Sequence, residues 1–151
     1  MSVHPFDLKT ILLAKHAQHV VLIHFPIALF IVGVAFDITA RWTKSRSLAD
    51  AAYFNFWVAA ISTLPVVATG LLAWQWALEG QRLKGVLLWH MALGLISTVL
   101  IWIVVLIHRK SRLQFAAIPP KLALLMETLG VVAVALTGHL GGFLSGVNTS
   151  I

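Results

Sequence analysis

Histidine is the side chain in this sequence that offers most for chemistry. The chain has 151 residues, with seven histidines and only five aspartates and glutamates. Imidazole binds metal ions, ligates haem iron and exchanges protons near neutral pH. Three histidines, His24, His90 and His139, lie about four residues inside long apolar stretches. These three are the first candidates for a cofactor site, and no comparable signal attaches to His4 or His108.

The spacing predicts one common depth for His24, His90 and His139. The first two follow the starts of helices that run in the same direction, and His139 precedes the end of a helix that runs the opposite way. At a rise of 1.5 Å per residue, each lies roughly 6 Å below the same membrane boundary. Three helices would then bring one imidazole each to a single layer. Such a layer suits haem iron, or a zinc or copper ion.

Small residues accompany these histidines at helical spacing. Residues four apart share one face of a helix. One turn deeper than each histidine, or beside it, stands a small residue; this set comprises Ala28, Gly94, Ala135, Gly138 and Gly142. We expect them to form stripes that face the bundle. Such stripes either let membrane helices pack closely or leave room for a flat macrocycle between helices.

His19 is a fourth candidate ligand, five residues before His24. Five residues correspond to about 140° around a regular helix, so the two share a site only where the helix is irregular. Pro26 gives a reason for irregularity, because it lacks an N–H group and disfavours helix at Phe25. The sequence predicts either that a helix begins near Pro26 or that it kinks there.

The composition predicts the scaffold that positions these side chains. Hydrophobic residues make up 60% of the chain and charged residues 11%, against about 45–50% and about 25% in soluble domains. The mean hydropathy is +0.93. These values exclude a soluble domain and a disordered chain. A membrane span takes about 20 apolar residues, and four stretches qualify: about 20–40, 53–78, 86–107 and 121–143.

We therefore predict an all-α fold, an integral membrane four-helix bundle with up-down-up-down order. Residues 1–18 form an N-terminal segment, either an interfacial helix or a frayed terminus. Residues 19–151 form the four-span membrane domain.

Basic residues predict the orientation. The first and third loops hold seven of them: Arg41, Lys44, Arg46, Arg109, Lys110, Arg112 and Lys121. The N-terminal segment and the second loop hold four: Lys9, Lys15, Arg82 and Lys84. The positive-inside rule places the first set in the cytoplasm. Both termini and the histidine layer then lie near the outer face.

Several classes of site and function are excluded. The chain has no cysteine, which rules out disulfides, iron–sulfur clusters, thiolate zinc sites and covalent haem attachment through C-x-x-C-H. No phosphate loop, Ser–His–Asp arrangement or carboxylate pair predicts a hydrolase or transferase. The net charge of +6 is explained by membrane orientation, so we expect no nucleic-acid partner.

Two carboxylates, Asp37 and Glu127, lie nearer the cytoplasmic side. Glu127 is about six residues into the fourth span, roughly 9 Å deep. A membrane carboxylate is a candidate for hydrogen bonding to a quinone or for relaying protons. The interpretation that we favour is an ion pair with Lys121, Arg112 or Arg41.

Residues 19–29 (HVVLIHFPIAL) resemble the signature of a bacterial membrane family, domain of unknown function 2231, whose first span carries an HP-x-x-x-HFPIAL pattern. Other pieces agree in order along residues 19–146: ATGL at 68–71, His90, and GHLGG at 138–142. Two departures exist: Val20 replaces the proline, and the chain lacks the Tyr and His that often follow the GG pair. The resemblance to a bacterial family, together with the orientation that the basic residues predict, leads us to expect a multi-pass protein of the bacterial inner membrane with periplasmic termini. It also implies a four-helix domain whose histidines suggest b-type haem.

Three functions follow as hypotheses. The first is a membrane electron-transfer subunit with one or two b haems, whose ligands come from His24, His90, His139 and His19. It would pass electrons between a quinone pool and an outer-face partner, such as a c-type cytochrome or a larger redox complex, as a carrier more than as a stand-alone enzyme. The second is a zinc or copper site at His24, His90 and His139. The third is a structural membrane subunit without a cofactor.

Overall fold

The fold is a bundle of helices. A computed structural model describes residues 17–76, 79–80, 82–114 and 121–146, and these contain helices without any strand, which confirms the all-α prediction. The proposed N-terminal segment 1–18 lies almost wholly outside the described residues, so its division from the membrane domain stays a prediction. The helices are α1 (Ala17–Leu22), α2 (His24–Thr43), α3 (Arg46–Trp76), α4 (Gly85–Leu113) and α5 (Lys121–Leu144).

Four candidate membrane spans are present, as predicted. They are long and apolar enough to cross a bilayer: Gln18–Thr43, Arg46–Trp76, Gly85–Leu113 and Lys121–Leu144. The first span combines α1 and α2. The helices of the second and third spans extend beyond the apolar stretches: α3 starts at Arg46 and α4 ends at Leu113. Hydropathy marks only the part of a helix inside the hydrocarbon, whereas the polar ends continue the helix into the interface.

The first span is interrupted at Ile23. Helix α1 ends at Leu22, α2 begins at His24, and Ile23 between them keeps right-handed helical angles (φ −59°, ψ −27°). Pro26 is the third residue of α2 and has no N–H to donate to the carbonyl of Leu22, the last residue of α1. Both alternatives that the sequence left open are therefore present in part: α2 begins just before Pro26, and the first span continues through this point with an interruption.

A short turn joins α2 to α3. Lys44 adopts a left-handed conformation (φ 57°) after the last residue of α2, and α3 begins at Arg46. The Ser45 hydroxyl accepts a hydrogen bond from the Leu48 N–H at 3.4 Å. A connection this short requires the two helices to lie side by side and antiparallel.

The bundle consists of two closely packed hairpins: one is formed by α2 and α3, with α1 packed on α3, and the other by α4 and α5. Contacts pair early residues of one helix with late residues of its neighbour in the chain, so the neighbours are antiparallel. Phe30 and Phe56 fill the core with ring centres 5.7 Å apart. Phe30 packs on Gly130 of α5, and Phe56 packs on Gly33 of α2.

Candidate functional site

His19 of α1 is tied to α3. Its Nδ1 lies 3.1 Å from the Val66 carbonyl oxygen and 3.3 Å from the Thr69 hydroxyl. A carbonyl oxygen only accepts hydrogen bonds, so the neutral ring carries its proton on Nδ1 and keeps a lone pair on Nε2. Nε2 of His19 is therefore available as a metal ligand.

Gly70 permits this close approach of the imidazole to α3. A Cβ atom at Gly70 would lie 2.9 Å from Cε1 of His19. Nonbonded carbon atoms are in favourable contact at about 3.5–4.0 Å, so a methyl group here would push the ring away from the Val66 carbonyl.

His90 of α4 is held by α5 in the same manner. Its Nδ1 lies 3.0 Å from the Thr137 carbonyl oxygen, which again places the proton on Nδ1 and leaves Nε2 free to bind. A Cβ atom at Gly141 would lie 3.2 Å from Cε1 of His90. Each helical hairpin thus presents one half-buried histidine, oriented by a backbone carbonyl and backed by a glycine.

The two imidazoles are neighbours across the bundle. The ring centres of His19 and His90 are 6.3 Å apart, and the ring planes are nearly perpendicular (89°). A metal bound to two imidazoles has metal–nitrogen bonds of about 2.0 Å each, and roughly 1.1 Å more on each side puts the ring centres about 6 Å apart. The observed separation matches this value. We call these two residues the outer histidine pair, after the side of the membrane that the basic residues predict for this end of the bundle.

His24 lies outside this pair. The side chain is exposed, and Nδ1 is 3.3 Å from the Val21 carbonyl oxygen of its own helix. Pro26, two residues on, is buried, and two residues correspond to about 200° around a helix. His24 therefore faces away from the core, as does Ala28 one turn later. The prediction that His24 and Ala28 lie on a stripe that faces the bundle is therefore wrong.

His139 is also exposed, and its ring packs against Phe143 with centres 5.0 Å apart. Ala135, one turn earlier, is exposed as well. The buried face of α5 contains Gly130, and nine residues from there to His139 amount to about 180°. The two residues share a face as expected, but it is the outward face. The ligand roles given to His24 and His139 stay predictions.

The remaining small residues have mixed surroundings. Gly94, Gly138 and Gly142 are half-buried. A Cβ at Gly94 would meet only a Thr137 methyl, at 3.7 Å, and one at Gly138 would meet no side chain within 4 Å. Gly70 and Gly141, and not Gly94 or Gly138, are therefore glycines that make room for the outer histidine pair.

A second polar cluster lies at the opposite end of the bundle. It consists of Asp37 of α2, His108 of α4 and Glu127 of α5, which are 1%, 3% and 0% exposed. One potential ligand atom of each lies within 4.8 Å of the others. We call these three residues the inner cluster.

Hydrogen bonds connect the members of the inner cluster to their surroundings. Nε2 of His108 donates to Oε1 of Glu127 at 2.8 Å, and Arg41 binds Asp37 one turn away on α2. The expected Asp37–Arg41 pair is therefore present, whereas Glu127 pairs with His108 and not with Lys121, Arg112 or Arg41.

The sequence reasoning missed His108 because it stands next to basic residues at a helix end. A signal was available. Asp37 and Glu127 each lie six residues from the inner ends of their helices, at Thr43 and Lys121, and His108 lies five residues from Leu113. These positions predict one common layer.

Comparisons with known proteins give one match. The model of a family described as "Predicted membrane protein (DUF2231)" matches residues 15–148, which covers the outer histidine pair and the inner cluster. No curated protein and no solved structure matches the chain.

Proposed function

The chain belongs to the membrane-protein family DUF2231, and we propose that it is an electron-transfer subunit that holds a b-type haem between His19 and His90. The subunit would exchange electrons with the quinone pool and with a redox partner at the outer face, such as a c-type cytochrome or a larger complex. This makes it a carrier, or part of an oxidoreductase, more than a stand-alone enzyme.

The observation that carries this proposal is the geometry of the outer histidine pair. Two imidazoles from different hairpins lie 6.3 Å apart, and both donate Nδ1–H to a backbone carbonyl. Histidines that ligate a metal almost always donate their other ring N–H in this way, which fixes the tautomer and raises the basicity of the ligating nitrogen.

The surroundings fit a haem better than they fit a closed metal-ion site. Structural zinc is almost always bound by four protein ligands, and the pair offers two. A b haem needs only two ligands from the protein, and His19 and His90 would supply them. The two histidines come from different hairpins, and helices pack more closely within a hairpin than between hairpins. A planar macrocycle would therefore lie in the seam between them.

The chain's own residues hold and orient the group. Val66 and Thr137 fix the two imidazoles through their carbonyl oxygens. Arg82 and Lys84 lie in the loop before α4 at this end of the bundle, where they offer cations to propionate groups. A bound b haem would supply a reversible one-electron ferric–ferrous couple.

The test is the reduced-minus-oxidised absorption spectrum of the full-length protein, purified after expression with ample haem. We expect a b-type alpha band in the wild type and its loss in His19→Ala and His90→Ala. His24→Ala and His139→Ala are matched controls, because they remove exposed imidazoles from the same end of the bundle, and they should keep the band.

The outcomes separate the hypotheses. A colourless wild type that carries stoichiometric zinc or copper, and that loses this metal in His90→Ala, would replace the haem proposal by the metal-ion alternative. Loss of the band in His24→Ala or His139→Ala, with retention in His19→Ala, would show that the ligands belong to the set His24, His90 and His139 that the sequence predicts. A protein with neither haem nor metal would favour a structural subunit.

A further inference from the structure

The inner cluster holds more negative charge than its visible partners neutralise. Asp37 and Glu127 are acidic, and Arg41 is the cation in contact with Asp37. With a neutral His108, these four side chains sum to a charge of about −1. Buried charge is costly unless it is paired, so the cluster favours an additional positive charge.

An unsatisfied oxygen marks the place for that charge. Oε2 of Glu127 is buried and has no hydrogen-bond partner, on the same carboxyl group whose Oε1 contacts His108. Leaving a buried carboxylate oxygen without a donor is unfavourable. A cation bound beside His108 would satisfy it.

We propose that Asp37, His108 and Glu127 form a binding site for a divalent transition-metal ion, independent of the outer histidine pair. One ligand atom from each residue lies within 4.8 Å of the others. Some point therefore lies within roughly 2.8 Å of all three atoms, and small side-chain shifts bring the distances to the zinc–ligand values of about 2.0–2.2 Å.

The ligand set selects the class of ion. One imidazole and two carboxylates suit zinc, manganese or iron(II), whereas calcium and magnesium prefer sites made only of oxygen ligands. When the ion binds Nε2 of the neutral His108 ring, the proton moves from Nε2 to Nδ1, so the imidazole stays neutral and releases no net proton. The Phe56 ring, 4.9 Å from the imidazole centre, restricts how His108 can turn.

Arg41 and the metal ion compete for the carboxylate of Asp37. Its guanidinium occupies an oxygen of Asp37, and its side chain is 16% exposed, near the helix end where long basic side chains reach the interface. Removing this cation makes the cluster more negative. The affinity for a divalent ion should therefore rise in Arg41→Gln, an effect that a purely structural role for the cluster does not produce.

The experiment measures zinc uptake by the full-length protein in detergent, after washing with a chelator, incubation with zinc sulfate and desalting. We expect about one zinc per chain at this site. Glu127→Gln, Asp37→Asn and His108→Ala should lower the affinity by roughly 100-fold or more. Asp50→Asn is the matched control, because Asp50 is an exposed carboxylate at the same end that pairs with Arg112, and it should keep the zinc.

Two further arms keep the result interpretable. Zinc uptake is repeated in the His19→Ala/His90→Ala double variant, where it should persist, so failure of the haem proposal leaves this site unaffected.

Glu127→Gln keeps the shape of the side chain and a hydrogen-bonding oxygen, and thermal unfolding shows whether this variant is folded. Zinc should raise the melting temperature of the wild type and Asp50→Asn, but not that of Glu127→Gln.

Four results would overturn the proposal. They are a wild type that binds no zinc at this end, uptake that Glu127→Gln leaves intact, lower affinity in Arg41→Gln, and uptake of calcium or magnesium in place of zinc. Any of the first three results would mean that Asp37, His108 and Glu127 do not bind a metal ion. The fourth would mean that the proposed class of ion is wrong.

Discussion

Two backbone carbonyls determine which nitrogen each outer histidine can offer. Val66 and Thr137 accept Nδ1–H from His19 and His90, so each ring keeps its Nε2 lone pair. Such hydrogen bonds usually change metal affinity by about 10–100-fold when they are lost. The positions of the rings relative to these carbonyls should therefore control haem binding.

A series of glycine variants tests this dependence. Gly70→Ala places a methyl group 2.9 Å from Cε1 of His19, and Gly141→Ala places one 3.2 Å from Cε1 of His90. The first should lower haem affinity roughly tenfold, since the ring must leave its carbonyl, and the second should lower it less. Haem-to-protein ratios of the purified variants provide the measurement.

Gly138→Ala is the control for this series, because its Cβ would meet no side chain within 4 Å. It should bind haem like the wild type. Equal haem occupancy in all three variants would show that haem binding does not depend on the positions of the His19 and His90 imidazoles.

For single residues, the sequence predicted well how far along its helix each histidine lies, and predicted poorly whether its side chain faces the bundle or the lipid. His24 and His139 lie near the outer ends of their helices as expected, because depth follows from counting residues along a helix. Both are exposed, and apolar periodicity gives no warning of this. In a membrane helix the lipid-facing side is as apolar as the core, so the pattern that orients helices in soluble proteins is lost. Packing on α3, through the Val66 carbonyl, turns His19 inward instead.

At the scale of the helix, phenylalanine rings packed on glycine backbones join the helices of the bundle. Phe56 of α3 packs on Gly33 of α2, and Phe30 of α2 packs on Gly130 of α5. Both rings are fully buried. Small residues allow helices to approach closely in a membrane, where packing is the main force that joins them. These two contacts therefore set the spacing that places both polar sites.

Gly33→Ala and Gly130→Ala should each destabilise the protein by about 1–3 kcal/mol, because the new Cβ would lie 2.7 Å from a phenylalanine ring. Gly94→Ala is the control, since its nearest contact would be an ordinary 3.7 Å. Reversible unfolding in mixed micelles measures all three. A destabilisation of Gly94→Ala equal to that of the other two would contradict the packing account.

Across the whole molecule, the two polar sites lie at opposite ends of an apolar core. His90 and His108 are 18 residues apart on α4, about 27 Å at 1.5 Å per residue, which is close to the hydrocarbon thickness of a bilayer. Ile101 and Val104 between them are buried and apolar. The four spans were predictable because their length and hydropathy are local properties of the sequence. The inner cluster was not, because it depends on how three helices are rotated.

Orientation in the membrane is a prediction that the absence of cysteine makes easy to test. Single cysteines at Lys44 and Gln114, in the loops on the basic side, should react with a membrane-impermeant maleimide only after permeabilisation. Cysteines at Glu79 and Ser145 should react in intact cells. The reverse labelling pattern would place the outer histidine pair at the cytoplasmic face.

The most direct test of the central claim is the electron paramagnetic resonance spectrum of the purified ferric protein. If His19 and His90 both held the haem iron with their ring planes at the observed 89°, the ferric protein would give a low-spin signal of strong anisotropy. The account predicts that signal in the wild type and a high-spin signal in His19→Ala or His90→Ala, where one axial ligand is lost. A wild type without bound haem, or a low-spin signal that persists in both variants, would contradict it.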